Sequence, residues 1–319
     1  MLMSTNTPPS QGIHSSSDNK VCIIEVGPRD GLQNEVSIVS LEDKIHLIEN
    51  LANAGLKHIE AGSFVSPKWV PQMADSLAVF EGIPRINSVI YSALTPNMKG
   101  FESALQAKVD EVAIFTAASE AFTQKNINCT INESIERFIP LIQEAKNHKL
   151  KVRAYVSCVL GCPYEGKIAH RKVIEVSRRL LELGCYEVSL GDTIGIGRPH
   201  EARALLNTML KEFSSKQLAL HFHDTYGQAI ANQYVALELG FRRFDSSVAG
   251  LGGCPYAKGA SGNVSTEDLV YMLEGAGMNT GIDLDKLIAA GHKICHSINR
   301  TNQSKIANAR GFKTEGEMR

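Results

Sequence analysis

VCIIEVGPRDG, residues 21–31, begins as a short β-branched run and then turns through Gly27-Pro28-Arg29-Asp30-Gly31 with no Gly-x-Gly-x-x-Gly behind it. An open dinucleotide-binding sheet needs glycines at this turn so that backbone can approach a pyrophosphate; here an arginine and an aspartate stand instead. The same pattern of extended run, polar loop and helical stretch recurs along the chain. Strand candidates are 21–27, 57–62, 86–91, 111–116, 151–157, 186–191, 218–223 and 242–248. Helical stretches fall between them at 40–54, 69–80, 96–107, 131–148, 169–183, 199–212 and 227–239, and two more, 266–275 and 284–297, follow the last strand. Alternation without a long linker or a second composition regime predicts an α/β fold, a closed (β/α)8 or TIM barrel with additional C-terminal helices, spanning 20–319 as one catalytic domain.

Composition narrows the class of partner. Over 319 residues, 43% hydrophobic and 21% charged with a net charge of −1 leave no basic surplus for nucleic acid or an anionic membrane. A small molecule is the expected ligand. Seven cysteines, an odd and scattered set, lack the paired framework of a small secreted domain and predict a reducing, cytoplasmic setting. Residues 1–19, rich in Ser, Thr, Asn and Pro without an arginine or an apolar core, predict a disordered tail and resemble neither a signal nor a transit peptide. No apolar stretch approaches the roughly 20 residues that span a bilayer, so no membrane partner is expected.

Chemistry concentrates where strands end. Leu218-Ala219-Leu220-His221-Phe222-His223-Asp224 places two imidazoles on one side of a strand, about 6.6 Å apart at alternate positions, a spacing that inward-leaning rings can close onto one cation. An isolated His-x-His is more often an inert hydrogen-bonded pair, so the site needs further ligands. Barrel closure sets the last strand beside the first and brings Asp30 and Asn263 to the same rim as His221 and His223. One carboxylate, two imidazoles and an amide suit Mg²⁺ or Mn²⁺ better than zinc, which favours thiolates. Each alone has a bland alternative: a turn aspartate, a capping asparagine. Arg29, charged at any working pH, can face a developing enolate or pair with Glu60, or do both. Other polar residues at strand ends are Ser63 after the second strand, Asn126 in the loop after the fourth, Arg153 and Tyr155 on the fifth, and Asp192 on the sixth. The glycine-rich segment Gly250–Asp268 reads either as an ordinary loop or as a lid that delivers Cys254.

Five segments carry a family resemblance: VGPRDGLQNE (26–35), IEAGSFVSPKWVPQMADS (59–76), SLGDTIGIG (189–197), HFHDTYGQA (221–229) and GLGGCPYAKGASGNVSTEDLVYML (250–273). They resemble the 3-hydroxy-3-methylglutaryl-CoA lyase family of barrel enzymes, from residue 21 to about 300. The resemblance implies cleavage of that acyl-CoA to acetoacetate and acetyl-CoA, with Mg²⁺ or Mn²⁺ on Asp30, His221, His223 and Asn263. It further implies that Arg29 stabilises enolate charge and that Cys254, Asp192, His221 and Glu60 move protons or organise the site. Arg29, Gln33, Ser63, Asn126, Arg153, Tyr155 and Ser189 are the implied acyl-CoA contacts, and a homodimer is the implied assembly. Three rivals remain in view: a barrel synthase running the reverse bond formation, for which the stretch after Asp268 is short; an aldolase on 4-hydroxy-2-oxo acids, which has no need of Cys254; and a silent acyl-CoA binder.

Overall fold

The computed structural model describes residues 19–35, 37–253 and 262–311. Eight parallel strands close into a barrel in chain order: β1 (Cys22–Glu25), β2 (His58–Ser63), β3 (Ile90–Leu94), β4 (Glu111–Ala117), β5 (Lys151–Ser157), β6 (Glu187–Asp192), β7 (Leu218–Phe222) and β8 (Arg243–Ser246). The seam is made by β1 against β8, with Cys22 opposite Arg243 and Glu25 opposite Ser246. The connecting helices are α1 (Leu41–Asn53), α2 (Ser76–Gly82), α3 (Met98–Gln106), α4 (Glu120–Ile127), α5 (Ile131–Asn147), α6 (His170–Leu183), α7 (Pro199–Met209) and α8 (Ala229–Glu238). After β8 come α9 (Thr266–Gly275), α10 (Leu284–Ser297) and α11 (Lys305–Arg310).

Alternate positions on each strand face opposite sides, and the two sides differ in kind. Val112, Ile114, Val152, Val156, Val188, Leu190, Leu218 and Leu220 pack outward against the helices in the main apolar core. Full burial of such a side chain contributes about 1.5–3 kcal/mol, so the core is a shell around the barrel. The barrel interior is largely ionic. Arg153 donates from Nε to Glu187 at 2.6 Å and from a terminal nitrogen to Asp245 at 2.6 Å, joining β5, β6 and β8. Near the C-terminal mouth a second, small apolar cluster occurs inside, formed by Leu94, Ala113 and Tyr155 with Val65 and Phe115 against it.

Local chemistry sets the helix starts. Ser40 accepts from the Asp43 N–H at 3.0 Å and opens α1; Thr130 and Glu133 form a reciprocal capping box at α5. Three expectations need correction. The third strand is Ile90–Leu94 rather than 86–91, because Ile86–Val89 is a turn closed by the Val89 N–H on the Ile86 carbonyl. The helix expected over 69–80 is one 3-10 turn at Pro71–Met73 followed by α2, since Val70, preceding the proline, is kept out of helical geometry at φ −133°, ψ 77°. Asn126 belongs to α4, not to a loop; Ser119 caps that helix and Asn128 ends it in the left-handed region at φ 50°. The tail expected over 1–19 lies outside the described residues except for Asn19, whose carbonyl accepts from Asn279 N–H at 2.8 Å.

Candidate active site

At the mouth of the barrel, β1 runs into a single π-type turn, Gly27–Gly31. One carbonyl, that of Val26, accepts from the N–H groups of Arg29, Asp30 and Gly31 at 3.2, 2.7 and 3.1 Å. The widened turn aims consecutive side chains into the same space. Gly31 is required by contact, because a Cβ there meets Ser247 Oγ at 2.7 Å and Leu251 Cβ at 2.8 Å.

Arg29 is 5% exposed. Its Nε donates to Glu60 Oε2 at 2.9 Å and its NH1 to Asp30 Oδ1 at 2.6 Å. Tyr155 Oη donates to the same Glu60 oxygen at 3.0 Å, so Glu60 fixes both groups from β2. The two alternatives for Arg29 hold together: it is an ion-paired rim residue and it faces the site. Burial opposes the charge of Asp30, yet Arg29, then His221 and His223, hold its carboxyl well below the usual carboxylate range.

The strand parity of His221 and His223 is confirmed. Their rings lie 5.3 Å apart, and the ligand atoms of Asp30, His221 and His223 are all within 4.8 Å of one another. Donors each about 2.1 Å from a shared cation stand at most about 4.2 Å apart, so this triad fits a divalent ion with little closing. His221 Nδ1 lies 3.2 Å from Asp245 Oδ2, which sets the ring to present Nε2 toward Asp30 at 3.8 Å. Asp245 is itself held by Arg153 and by the Ser189 hydroxyl at 2.7 Å. Burial, then the neighbouring His221, pushes His223 down to about 4, leaving its lone pair free at neutral pH. Asn263 pairs across from His223 and donates its amide N–H to Asp30 Oδ2 at 2.8 Å. The donor set therefore fits a divalent cation, with Asn263 tied to the carboxylate.

A cavity of about 830 Å³ opens over this corner. Arg29, Asp30, Gln33, Asn126, Tyr155, His221 and His223 line it, and the buried side-chain oxygen of Gln33 has no partner among the described residues. Other expected contacts are placed elsewhere. Arg153 and Ser189 lie beneath the floor, spent on Glu187 and Asp245, because alternation identifies inward positions but not their depth. Ser63 is 1% exposed and its hydroxyl accepts from the Val65 N–H at 3.3 Å, so it shapes the β2 end instead of reaching the cavity. Asp192 does not line the cavity; its Oδ2 accepts from the Gly197 N–H at 2.9 Å and burial raises it to about 6. Cys254 lies outside the described residues. Asp245 and Trp69 are missed from sequence alone; an inward strand carboxylate is the signal that could have found Asp245, and Trp69 sits 84% exposed at the cavity mouth.

The HMGL-like family model matches residues 20–294. A Pseudomonas aeruginosa protein, 3-hydroxy-3-isohexenylglutaryl-CoA/hydroxy-methylglutaryl-CoA lyase, is 56% identical over 290 residues, 91% of this chain and 97% of that one. Mitochondrial hydroxymethylglutaryl-CoA lyase of Rattus norvegicus is 59% identical over 290 residues, covering 91% of this chain and 89% of that one. Among solved structures, an HMG-CoA lyase from Acinetobacter baumannii in complex with coenzyme A and 3-methylmalate superposes with a TM-score of 0.89 at 39% identity, over 95% of this chain and 98% of that chain.

Proposed function

The chain belongs to the HMGL-like family, and from that premise we infer that it is a lyase cleaving 3-hydroxy-3-methylglutaryl-CoA to acetoacetate and acetyl-CoA. The observation that carries this is the Arg29–Asp30 turn set against His221 and His223 at the floor of one acyl-CoA-sized cavity.

The reaction is a retro-Claisen cleavage. Asp30, His221 and His223, with Asn263 beside them, would hold Mg²⁺ or Mn²⁺, and such an ion would supply Lewis-acid polarisation of substrate oxygens. A general base takes the proton of the tertiary hydroxyl, its carbon becomes the ketone of acetoacetate, and the electron pair of the broken carbon–carbon bond passes into the thioester as an enolate. Arg29, whose charge is pinned by Glu60, faces that developing oxyanion. Cys254 returns a proton to carbon, giving acetyl-CoA, while Asp192 and His221 organise or share the proton traffic. Asp192 does so through the Gly197 loop. Gln33, Asn126 and Tyr155 stand on the cavity wall to contact the acyl-CoA, and the glycine-rich segment that carries Cys254 keeps water from the enolate. Ser63, Arg153 and Ser189 support the walls from behind.

The assembly proposed is a homodimer through the C-terminal helices, in the cytoplasm. Support for the setting comes from the unpaired state of Cys22, Cys129, Cys158, Cys162, Cys185 and Cys295. Among the described residues, no helix is long and apolar enough to cross a membrane. A wider substrate range is favoured by one observation: Leu94, Tyr155, Val65 and Phe115 of the interior apolar cluster line the cavity and suit a 3-alkyl group larger than methyl.

Purified protein with Mg²⁺ or Mn²⁺ releases acetoacetate from 3-hydroxy-3-methylglutaryl-CoA and stops when a chelator is added. No product with metal present, alongside condensation of acetyl-CoA with a keto acid, reverses the assignment to a synthase.

A further inference from the structure

Two carboxylates lie behind the barrel seam, away from the cavity. Glu25, at the end of β1, and Glu267, in the first turn of α9, are both 0% exposed. Glu25 Oε1 accepts from the Gly27 N–H at 2.7 Å and from the Val248 N–H at 2.9 Å, and its Oε2 accepts from the Thr266 hydroxyl at 2.7 Å. Gly27 starts the turn that presents Arg29 and Asp30. Val248 and Thr266 stand on either side of the segment that contains the glycine-rich loop and Asn263. One carboxylate therefore grips the root of the ligand turn and both feet of the loop. Glu267 completes the clasp by accepting the Ala249 N–H on both oxygens, at 3.0 and 2.9 Å, and Ala249 is a non-glycine residue in the left-handed region at φ 56°.

The packing around both acids is close enough to demand glycine. A Cβ on Gly27 meets Glu25 Oε1 at 2.5 Å, and a Cβ on Gly291 of α10 meets Glu267 Oε1 at 2.6 Å. Neither acid lines the cavity.

We propose that Glu25, with Glu267 behind it, is a positioning residue for the divalent ion, setting the distance between Asp30 on the first strand's turn and Asn263 on the loop after the last without touching either. The distance matters because ligands from opposite sides of a barrel seam have no local element to fix their separation, and an outer partner that fixes it sets metal affinity. Burial pushes Glu25 up to about 7 and Glu267 up to about 8. A neutral amide is thus compatible with the Glu25 position: Gln can accept both N–H groups on its oxygen and donate to the Thr266 hydroxyl, which can turn toward Ser246 at 2.9 Å.

This inference rests on the metal assignment above, and Mn²⁺ titration of the full chain, followed by electron paramagnetic resonance, separates the two. Wild type binding no Mn²⁺ removes the assignment and this inference with it. With wild type binding, Glu25→Ala is expected to weaken Mn²⁺ by about 10- to 100-fold while its circular dichroism spectrum is unchanged, and Glu25→Gln to stay within about threefold of wild type. A folded Glu25→Ala protein that binds Mn²⁺ like wild type overturns the proposal, as does a Glu25→Gln protein as weak as Glu25→Ala. Should Glu25→Ala not fold, Thr266→Val, which removes one of the three bonds, decides: a loss of about three- to tenfold supports the clasp, and unchanged affinity sinks it.

Discussion

Arg29 sits at the point where one side chain answers to two carboxylates and an open cavity at once. Arg29→Gln removes the charge and keeps the ligands in place, so Mn²⁺ binding persists while turnover falls by about 10²- to 10³-fold, the cost of losing a donor aimed at transition-state charge. Paired metal titration and steady-state rates check this; an unaltered rate takes Arg29 out of the chemistry. Cys254→Ala is expected to lower turnover with the thermal midpoint held, and a normal rate returns the thiol to an ordinary loop residue. At this scale the sequence is legible where backbone geometry alone aims a side chain. Strand parity is enough to pair His221 with His223, and the position of Asp30 after β1 is enough to bring it to them. Parity says nothing of depth: Arg153 and Ser189, acyl-CoA contacts implied by the family resemblance, both point inward yet lie below the cavity. Nor does a sequence reveal what already occupies a polar group: Asp192 is committed to the Gly197 N–H.

Elements are fixed by turns more than by strands. The π-type turn after β1 survives only with Gly31, and Gly31→Ala drives a methyl into Ser247 and Leu251; overpacking of this kind costs about 1–3 kcal/mol and displaces Asp30. Loss of stability together with weakened Mn²⁺ binding is the expected pair of results, read by chemical denaturation and metal titration. Strands β2 and β4 are joined across β3 by His58 Nε2 and Glu111 Oε1, 3.1 Å apart. Burial opposes the charge on His58, but Glu111 and Cys22 hold it up at about 9. Because a base raised above its ordinary 6.5 stabilises the fold fully below that value and loses the effect as pH passes about 9, stability declines across that window, on the order of 3 kcal/mol. The buried acids Glu25 and Glu267, raised to about 7 and 8, act in the same direction. Urea midpoints at several pH values test this, and a flat profile refutes it. The sequence shows these strands by their β-branched runs. It misplaces β3 because Ile86-Asn87-Ser88-Val89 is equally apolar at its ends but folds into a turn, and it passes over α4 because that helix buries little and is defined by its caps, Ser119 and Asn128.

For the molecule as a whole, closure of the barrel was legible from the count of strand and helix units, whereas the ionic interior was not, since each polar residue looks isolated until β5, β6 and β8 are brought together. Arg153→Met leaves Glu187 and Asp245 buried with their main cation gone, a change that costs about 3–5 kcal/mol and is read as a lower midpoint for the entire unfolding transition. A bound ion works the other way: at a hundred times its dissociation constant Mn²⁺ adds about 2.7 kcal/mol, so a rise in melting temperature with added Mn²⁺, abolished by chelator, is expected, and no rise speaks against the site. The seam between β1 and β8 has one more consequence, for synthesis. A nascent chain halted at residue 242 already contains Asp30, His221 and His223 but lacks the strand that joins β7 to β1. A chain ending at 242 is therefore expected to bind Mn²⁺ far more weakly than the full protein, because nothing holds the turn after β1 against the end of β7.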